Sequence, residues 1–272
     1  MIRRLGGNLR VLNGPVPDAS ARLERHGCAL VRDVLDAAEV AALRAEVAAH
    51  FDATPTDRAH DERGEFRHGM LNVSPLSQRA IASRGILDVI EPLLGEDCHV
   101  IANTAWRNVA GHEGGGWHVD AGPHLPRNEG VAWPEEIAYP VFAIGVHLFL
   151  EDCPLEAGPT AVLAGSHRSG RLPPRERLLD LDLTYEDRPP VLLAARAGDA
   201  AMFVSDVWHR GTPAQAGFGR FFLQVHYGRR DIAQRIRTTE EVNHLSEAAV
   251  ARAETPRERT LVGLHGIGFY DA

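Results

Sequence analysis

Apolar positions recur at helical spacing twice in the first third of the chain, then give way to short, closely spaced runs. In "DAAEVAALRAEVAAHF" (Asp36–Phe51), Val40, Leu43, Val47 and Phe51 share one face of a helix. "SQRAIASRGILDVIEPLLG" repeats the pattern from Ser77, with Gly95 as its stop. The polar stretch between them, Ala53–Asn72, has no period and reads as a mobile loop. From about Asp97 the period changes. "DCHVIANTAWRNV", "VFAIGVHLFLED", "TAVLAG", "VLLAAR", "AMFVSD" and "GRFFLQVHYGRR" are short β-branched or aromatic segments separated by Gly- and Pro-rich turns. Such strands behind leading helices predict a mainly β chain with flanking helices, a sandwich or barrel. No linker or internal repeat divides residues 1–272, so one domain is expected.

Composition narrows the function more than the fold. The net charge of −8 gives no basic surface for nucleic acid or an anionic membrane. All 29 basic residues are Arg, which removes lysine chemistry and leaves guanidinium as the permanent cation for an anionic ligand. Cys28, Cys98 and Cys153 are widely spaced and form neither a zinc motif nor a disulfide framework. The first residues, "MIRRLGGNLRVLNGP", lack a signal-peptide core, and "VFAIGVHLFL" is too short to span a bilayer. A cytoplasmic location and a small-molecule partner are the expectations.

Three His-x-Asp/Glu pairs occur, His50/Asp52, His60/Glu62 and His118/Asp120, where chance alone gives about two. His50 and Asp52 end a helical segment, where residues two apart face different ways. His60 and Glu62 lie in the charge run "DRAHDERGE". His118 and Asp120 follow glycines at the edge of a strand pattern. Residues i and i+2 of a strand share a face about 7 Å apart, so this imidazole and carboxylate can meet on one ion. The best third ligand is His209 in "AMFVSDVWHRGTP", which ends a strand pattern before a turn. A hairpin there would return Arg220 towards it. Two His and a carboxylate suit non-haem Fe(II) better than zinc. An arginine eleven residues on suits a carboxylate-bearing cosubstrate.

On these motifs the chain resembles the phytanoyl-CoA dioxygenase family of Fe(II)/2-oxoglutarate oxygenases. "ERHGCALVRDVLDAAEVAALRAEV" is similar to its opening helix–strand–helix, and "WHVD" to its WHxD. "LEDCPLEAGPTAVLAGSHRSG" and "GDAAMFVSDVWHRGTP…R" resemble its two later signatures, the four together covering about residues 20–230 in order. The resemblance implies a double-stranded β-helix (jelly roll). It implies His118, Asp120 and His209 as iron ligands and Arg220 on the distal carboxylate of 2-oxoglutarate. Thr104 and Asn108, on the strand before the HxD motif, are the further cosubstrate positions it points to. Relatives that place a lysine near the cosubstrate have no counterpart in a chain without lysine.

The implied chemistry is oxidative decarboxylation of 2-oxoglutarate with O2, giving succinate and CO2 and oxidising a C–H bond, in most cases by hydroxylation. Halogenating relatives lack the carboxylate ligand; Asp120 therefore directs the expectation to hydroxylation, desaturation or ring chemistry. The alternatives are a cupin-like metalloprotein catalysing a non-oxidative reaction and a non-catalytic binding protein. The first has no need of a buried arginine facing the metal, and the intact ligand set speaks against the second.

Other residues divide between substrate contact and structure. The insert "AGPHLPRNEGVAWPEEIAYP" follows the HxD motif directly and reads as a lid carrying His124, Arg127 and Trp133. His147 faces either the barrel interior or a core. His112 is a loop histidine, a substrate contact or exposed; His167 orders a turn; and His226 is structural. Alternation turns Trp117 and Trp208 away from the metal.

Overall fold

The computed structural model describes residues 2–5, 8–11, 18–54, 65–232 and 245–265. Strands β1 (Ile2–Leu5) and β2 (Asn8–Val11) form a small antiparallel pair. Helix α1 (Asp18–His26), strand β3 (Cys28–Val31) and helix α2 (Ala37–Ala53) follow. Asp36 starts α2: its side chain accepts from the Ala38 and Glu39 amides, and Glu39 accepts from the Asp36 amide in return. Val40, Leu43, Val47 and Phe51 are buried along one face, as the periodicity requires.

The stretch between the two helical patterns is not all loop. Strand β4 (Glu65–His68) pairs with β5 (His99–Asn108), and Met70–Val73 forms the short helix α3. Residues 55–64, with His60 and Glu62, lie outside the described residues. The single helix expected from Ser77 to Gly95 is two, α4 (Pro75–Ala80) and α5 (Arg84–Leu94). The break leaves the Ile81 carbonyl free to accept from the buried Tyr227 hydroxyl at 2.8 Å.

The remaining strands are β6 (Ala143–Phe149), β7 (Thr160–Val162), β8 (Val191–Leu192), β9 (Ala200–Val204), β10 (His209–Gly211) and β11 (Arg220–Gly228). Helices α6 (Glu247–Arg252) and α7 (Pro256–Leu261) come last. A six-stranded antiparallel sheet runs β3-β9-β6-β11-β5-β4, and a three-stranded one β10-β7-β8. This is a mainly β fold of the double-stranded β-helix kind with helices on one face.

Period-two alternation sorts the large sheet into two faces. Ile144, Val146 and Leu148 of β6, Met202 of β9, and Phe221, Leu223, Val225 and Tyr227 of β11 pack with Leu43, Val47 and the other helix residues. Phe149, Ala201, Phe203 and Phe222 point the other way, against Val162, Leu193 and Ala195 on the small-sheet side. Burying each such Val, Leu or Phe stabilises by roughly 1.5–3 kcal/mol, so this register is strongly specified. The second face leaves a polar cavity at its end.

Candidate metal centre

The glycine run before His118 lets two segments approach. Gly114 has φ +73°, and a Cβ there would come within 2.4 Å of the Gly211 carbonyl oxygen. The Gly115 amide donates to that oxygen at 3.0 Å. Three residues after Gly115, His118 pairs with His209 in antiparallel register, so His118 extends the small sheet beyond β10. His118 therefore sits at an isolated bridge, not in a regular strand, while the Asp120 amide donates to Ser205 at 3.1 Å.

His118, Asp120 and His209 each offer a ligand atom within 4.8 Å of the others, the only such cluster found among the described residues. The donor set suits a divalent transition metal. A carbonyl only accepts, so the His118 Nδ1–H donates to Gly116 at 2.9 Å and the His209 Nδ1–H to Val207 at 2.9 Å. Each imidazole thus keeps its Nε2 lone pair for a metal. Burial and the neighbouring His209 lower the His118 pKa. For Asp120 burial alone would favour the neutral acid; His226 and His209 outweigh it and hold the carboxyl well below its usual range. His209 is raised by Asp120 in spite of burial.

His226, expected to be structural, stands against the ligand carboxylate. Its Nε2 lies 3.2 Å from Asp120 Oδ2, while His209 Nε2 is 3.4 Å from Oδ1. The signal was available: from Arg220, alternation along β11 sends Arg220, Phe222, Gln224 and His226 to one face.

A cavity of about 340 Å³ opens beside the cluster, lined by His118 and His209, by Asn108, Trp106 and Gln224 of the large sheet, and by Arg220. Arg220 is almost wholly buried, and its Nε has no hydrogen-bond partner. No carboxylate pairs with it among the described residues. Burial lowers its pKa to about 10, which leaves it charged at neutral pH. A buried cation without a counter-charge is costly, so the cavity suits an anion. The expected hairpin is absent: β10 and β11 belong to different sheets, and Arg220 reaches the site because its guanidinium packs on Gly211.

Other expected residues fall in three places. Asn108 lines the cavity directly opposite Arg220 in the register, and its Oδ1 has no partner. Thr104 does not line it; its hydroxyl is 3.0 Å from His68 Nδ1. His147 faces the interior and lines the cavity. His124, Arg127 and Trp133 do not line it. The His124 ring stacks on Phe142 and meets Asp206 at 2.6 Å, while Tyr139 donates to the other Asp206 oxygen at 2.7 Å. Arg127 lies over Trp133, whose indole donates to Ile137. The insert does border a separate cleft of about 1060 Å³, with Asn128–Ala132 facing Ser169–Glu176. His112 is buried and bonded to Ala157 and Gly114, and His167 to Glu24. Trp117 and Trp208 turn away, their indoles donating to Asp180 and Arg171.

A family model described as phytanoyl-CoA dioxygenase (PhyH) matches residues 23–221. Among solved structures, the non-haem α-ketoglutarate-dependent epimerase SnoN of nogalamycin biosynthesis superposes with TM-score 0.62 at 21% identity, covering 82% of this chain and 86% of that one. The carbocyclase SnoK of the same biosynthesis gives 0.63 at 19%, covering 82% and 88%. HygX from Streptomyces hygroscopicus, solved with nickel, 2-oxoglutarate and hygromycin B, gives 0.62 at 14%, covering 78% and 87%. Identities this low establish a shared fold. No curated protein matches the sequence.

Proposed function

The chain belongs to the phytanoyl-CoA dioxygenase family, and on that premise we propose that it is an Fe(II)/2-oxoglutarate-dependent oxygenase hydroxylating a C–H bond of a small molecule. The observation that carries this reading is the cluster of His118, Asp120 and His209 beside the cavity that the unpaired Arg220 lines.

His118, Asp120 and His209 would hold ferrous iron on one face and leave its other positions open. With 2-oxoglutarate and O2, the iron supplies the oxidising power for C–H cleavage, with succinate and CO2 as co-products. Arg220 grips the distal carboxylate of the keto acid, and Asn108 lies beside it. His226 holds Asp120 in its orientation, as a partner behind a ligand does. Phe66, Trp106 and Phe222 give the cavity apolar walls that exclude water. At about 340 Å³ the cavity is at the small end of the range for ligand pockets.

Asp120 occupies the position that halogenation needs vacant, and hydroxylation is then the simplest outcome. The structural neighbours act as an epimerase and a carbocyclase, or bind hygromycin B, which supports a role in bacterial secondary metabolism. The test is succinate release across candidate natural-product scaffolds, hygromycin B among them, followed by mass analysis. Gain of one oxygen atom supports hydroxylation; loss of two hydrogens or an unchanged mass replaces it with another oxidative outcome. No 2-oxoglutarate turnover or affinity would remove the oxygenase reading.

A further inference from the structure

His147 stands at the centre of the large sheet, opposite Gln224 on β11 and Ala201 on β9. Phe203 and Phe222 pack on its ring, with centroids 5.0 and 4.4 Å away. The residue is 7% exposed. Its Nδ1 lies 3.1 Å from the Thr160 hydroxyl, and its Nε2 has no hydrogen-bond partner. His147, Thr160 and Arg220 all line the same cavity.

A buried ring nitrogen without a partner forfeits its hydrogen bond with water and gains nothing in return. Three such nitrogens belong to residues lining this cavity, His147 Nε2, Arg210 Nη1 and Arg220 Nε, and Asn108 Oδ1 is an unpartnered acceptor among them. Burial and the Arg220 charge keep the imidazole neutral, so it carries one ring proton. When the Thr160 hydroxyl donates to Nδ1, that proton sits on Nε2. The ring then presents an N–H to the space that the guanidinium borders. Unpartnered donors outnumber the one unpartnered acceptor among the lining residues, and an anion with several acceptor oxygens matches them.

Resting on the 2-oxoglutarate reading above, we propose that His147, through its Nε2–H, is a second donor to the distal carboxylate that Arg220 binds, with Thr160 fixing the tautomer. In a chain without lysine, a neutral histidine adds a hydrogen bond here without adding a second buried charge. Thr160 acts through His147 and is a positioning residue.

The test is calorimetric titration of the Mn(II)-loaded protein with 2-oxoglutarate and with 2-oxopentanoate, which has the keto acid but no distal carboxylate. His147→Phe should weaken 2-oxoglutarate binding roughly tenfold or more and leave 2-oxopentanoate and Mn(II) binding unchanged. His147→Gln, which restores an N–H at similar reach, should recover most of the affinity. Should His147→Phe fail to fold, Thr160→Val should show a smaller loss confined to the dicarboxylate. Unchanged 2-oxoglutarate affinity in a folded His147→Phe, or in Thr160→Val where that variant stands in for it, overturns the assignment and leaves the oxygenase reading intact. Equal losses for both keto acids also overturn it. A wild-type protein that binds neither keto acid overturns both readings.

Discussion

His118 and His209 each donate a backbone N–H to the other's carbonyl, at 3.0 Å in both directions. This exchange fixes the two imidazoles side by side, with ring centroids 4.3 Å apart. Residues 118 and 209 are thus joined by main chain, and each ring is oriented by a carbonyl two residues behind it. The site is held together before any metal arrives.

Removing either ring should therefore abolish metal binding without unfolding the protein. His118→Ala and His209→Ala are expected to retain the wild-type circular dichroism spectrum. Mn(II) at a hundredfold excess over its Kd should stabilise the wild type by about 2.7 kcal/mol and neither variant. Thermal melts with and without metal check this. A metal-dependent rise in Tm surviving in both variants would place the ion elsewhere.

Arg220→Met should separate binding from stability. The guanidinium is buried over Phe222 with no counter-charge among the described residues. Methionine removes an uncompensated cation at similar volume, so the protein free of ligand should be as stable as wild type or more so. Affinity for 2-oxoglutarate should fall at least about tenfold, because charge-assisted hydrogen bonds are lost. Denaturant melts and calorimetry measure the two effects. Loss of stability with binding unchanged would make Arg220 a structural residue.

The grouping of residues 118, 120 and 209 was legible in the His-x-Asp spacing and its glycine context, although His118 sits at an isolated bridge and the hairpin expected to return Arg220 is absent. The residues that only tertiary structure could place were not. His147 lies in a strand buried on both faces, where hydrophobicity gives no phase. Thr104 shares the alternation of Asn108, and only β4 crossing the sheet edge reveals that its hydroxyl is taken by His68. His124 sits in a prolyl insert that reads as a lid, yet Asp206, 82 residues away, claims its ring. The break between α4 and α5 is likewise invisible to periodicity, since Ala80 and Ile81 before it and Ile86, Leu87 and Ile90 after it are all buried.

Gly145→Ala should damage the metal centre from a distance. A Cβ at residue 145 would come within 2.6 Å of the Phe203 ring, which packs 4.5 Å from the His209 ring. The expected cost is roughly 1–3 kcal/mol from overpacking, with weakened Mn(II) affinity as His209 is displaced. Metal titration of the folded variant tests it. Lower stability with unaltered metal affinity would show that Phe203 yields without moving His209.

Stability should fall as pH drops from about 6.5 to about 4. Burial lowers the pKa of both His99 and His167 to about 4, against an ordinary 6.5. Above pH 6.5 neither folded nor unfolded chain holds these protons. Below it the unfolded chain takes up protons that the folded chain refuses, at a cost of up to roughly 3 kcal/mol for each histidine. His99 Nε2 donates to Ile232 at 2.7 Å, so His99→Gln should lower stability near neutrality yet flatten the acid slope. Urea midpoints across this range test the sign. An unchanged slope in the variant would clear His99 of the effect.

The convergence of three side chains and one guanidinium on a single ion and diacid is tested most directly by anaerobic absorption spectroscopy. One equivalent of Fe(II) with 2-oxoglutarate should produce a weak visible charge-transfer band in the wild-type protein, and none in His118→Ala. No band in the wild type, or an identical band in the variant, would contradict it.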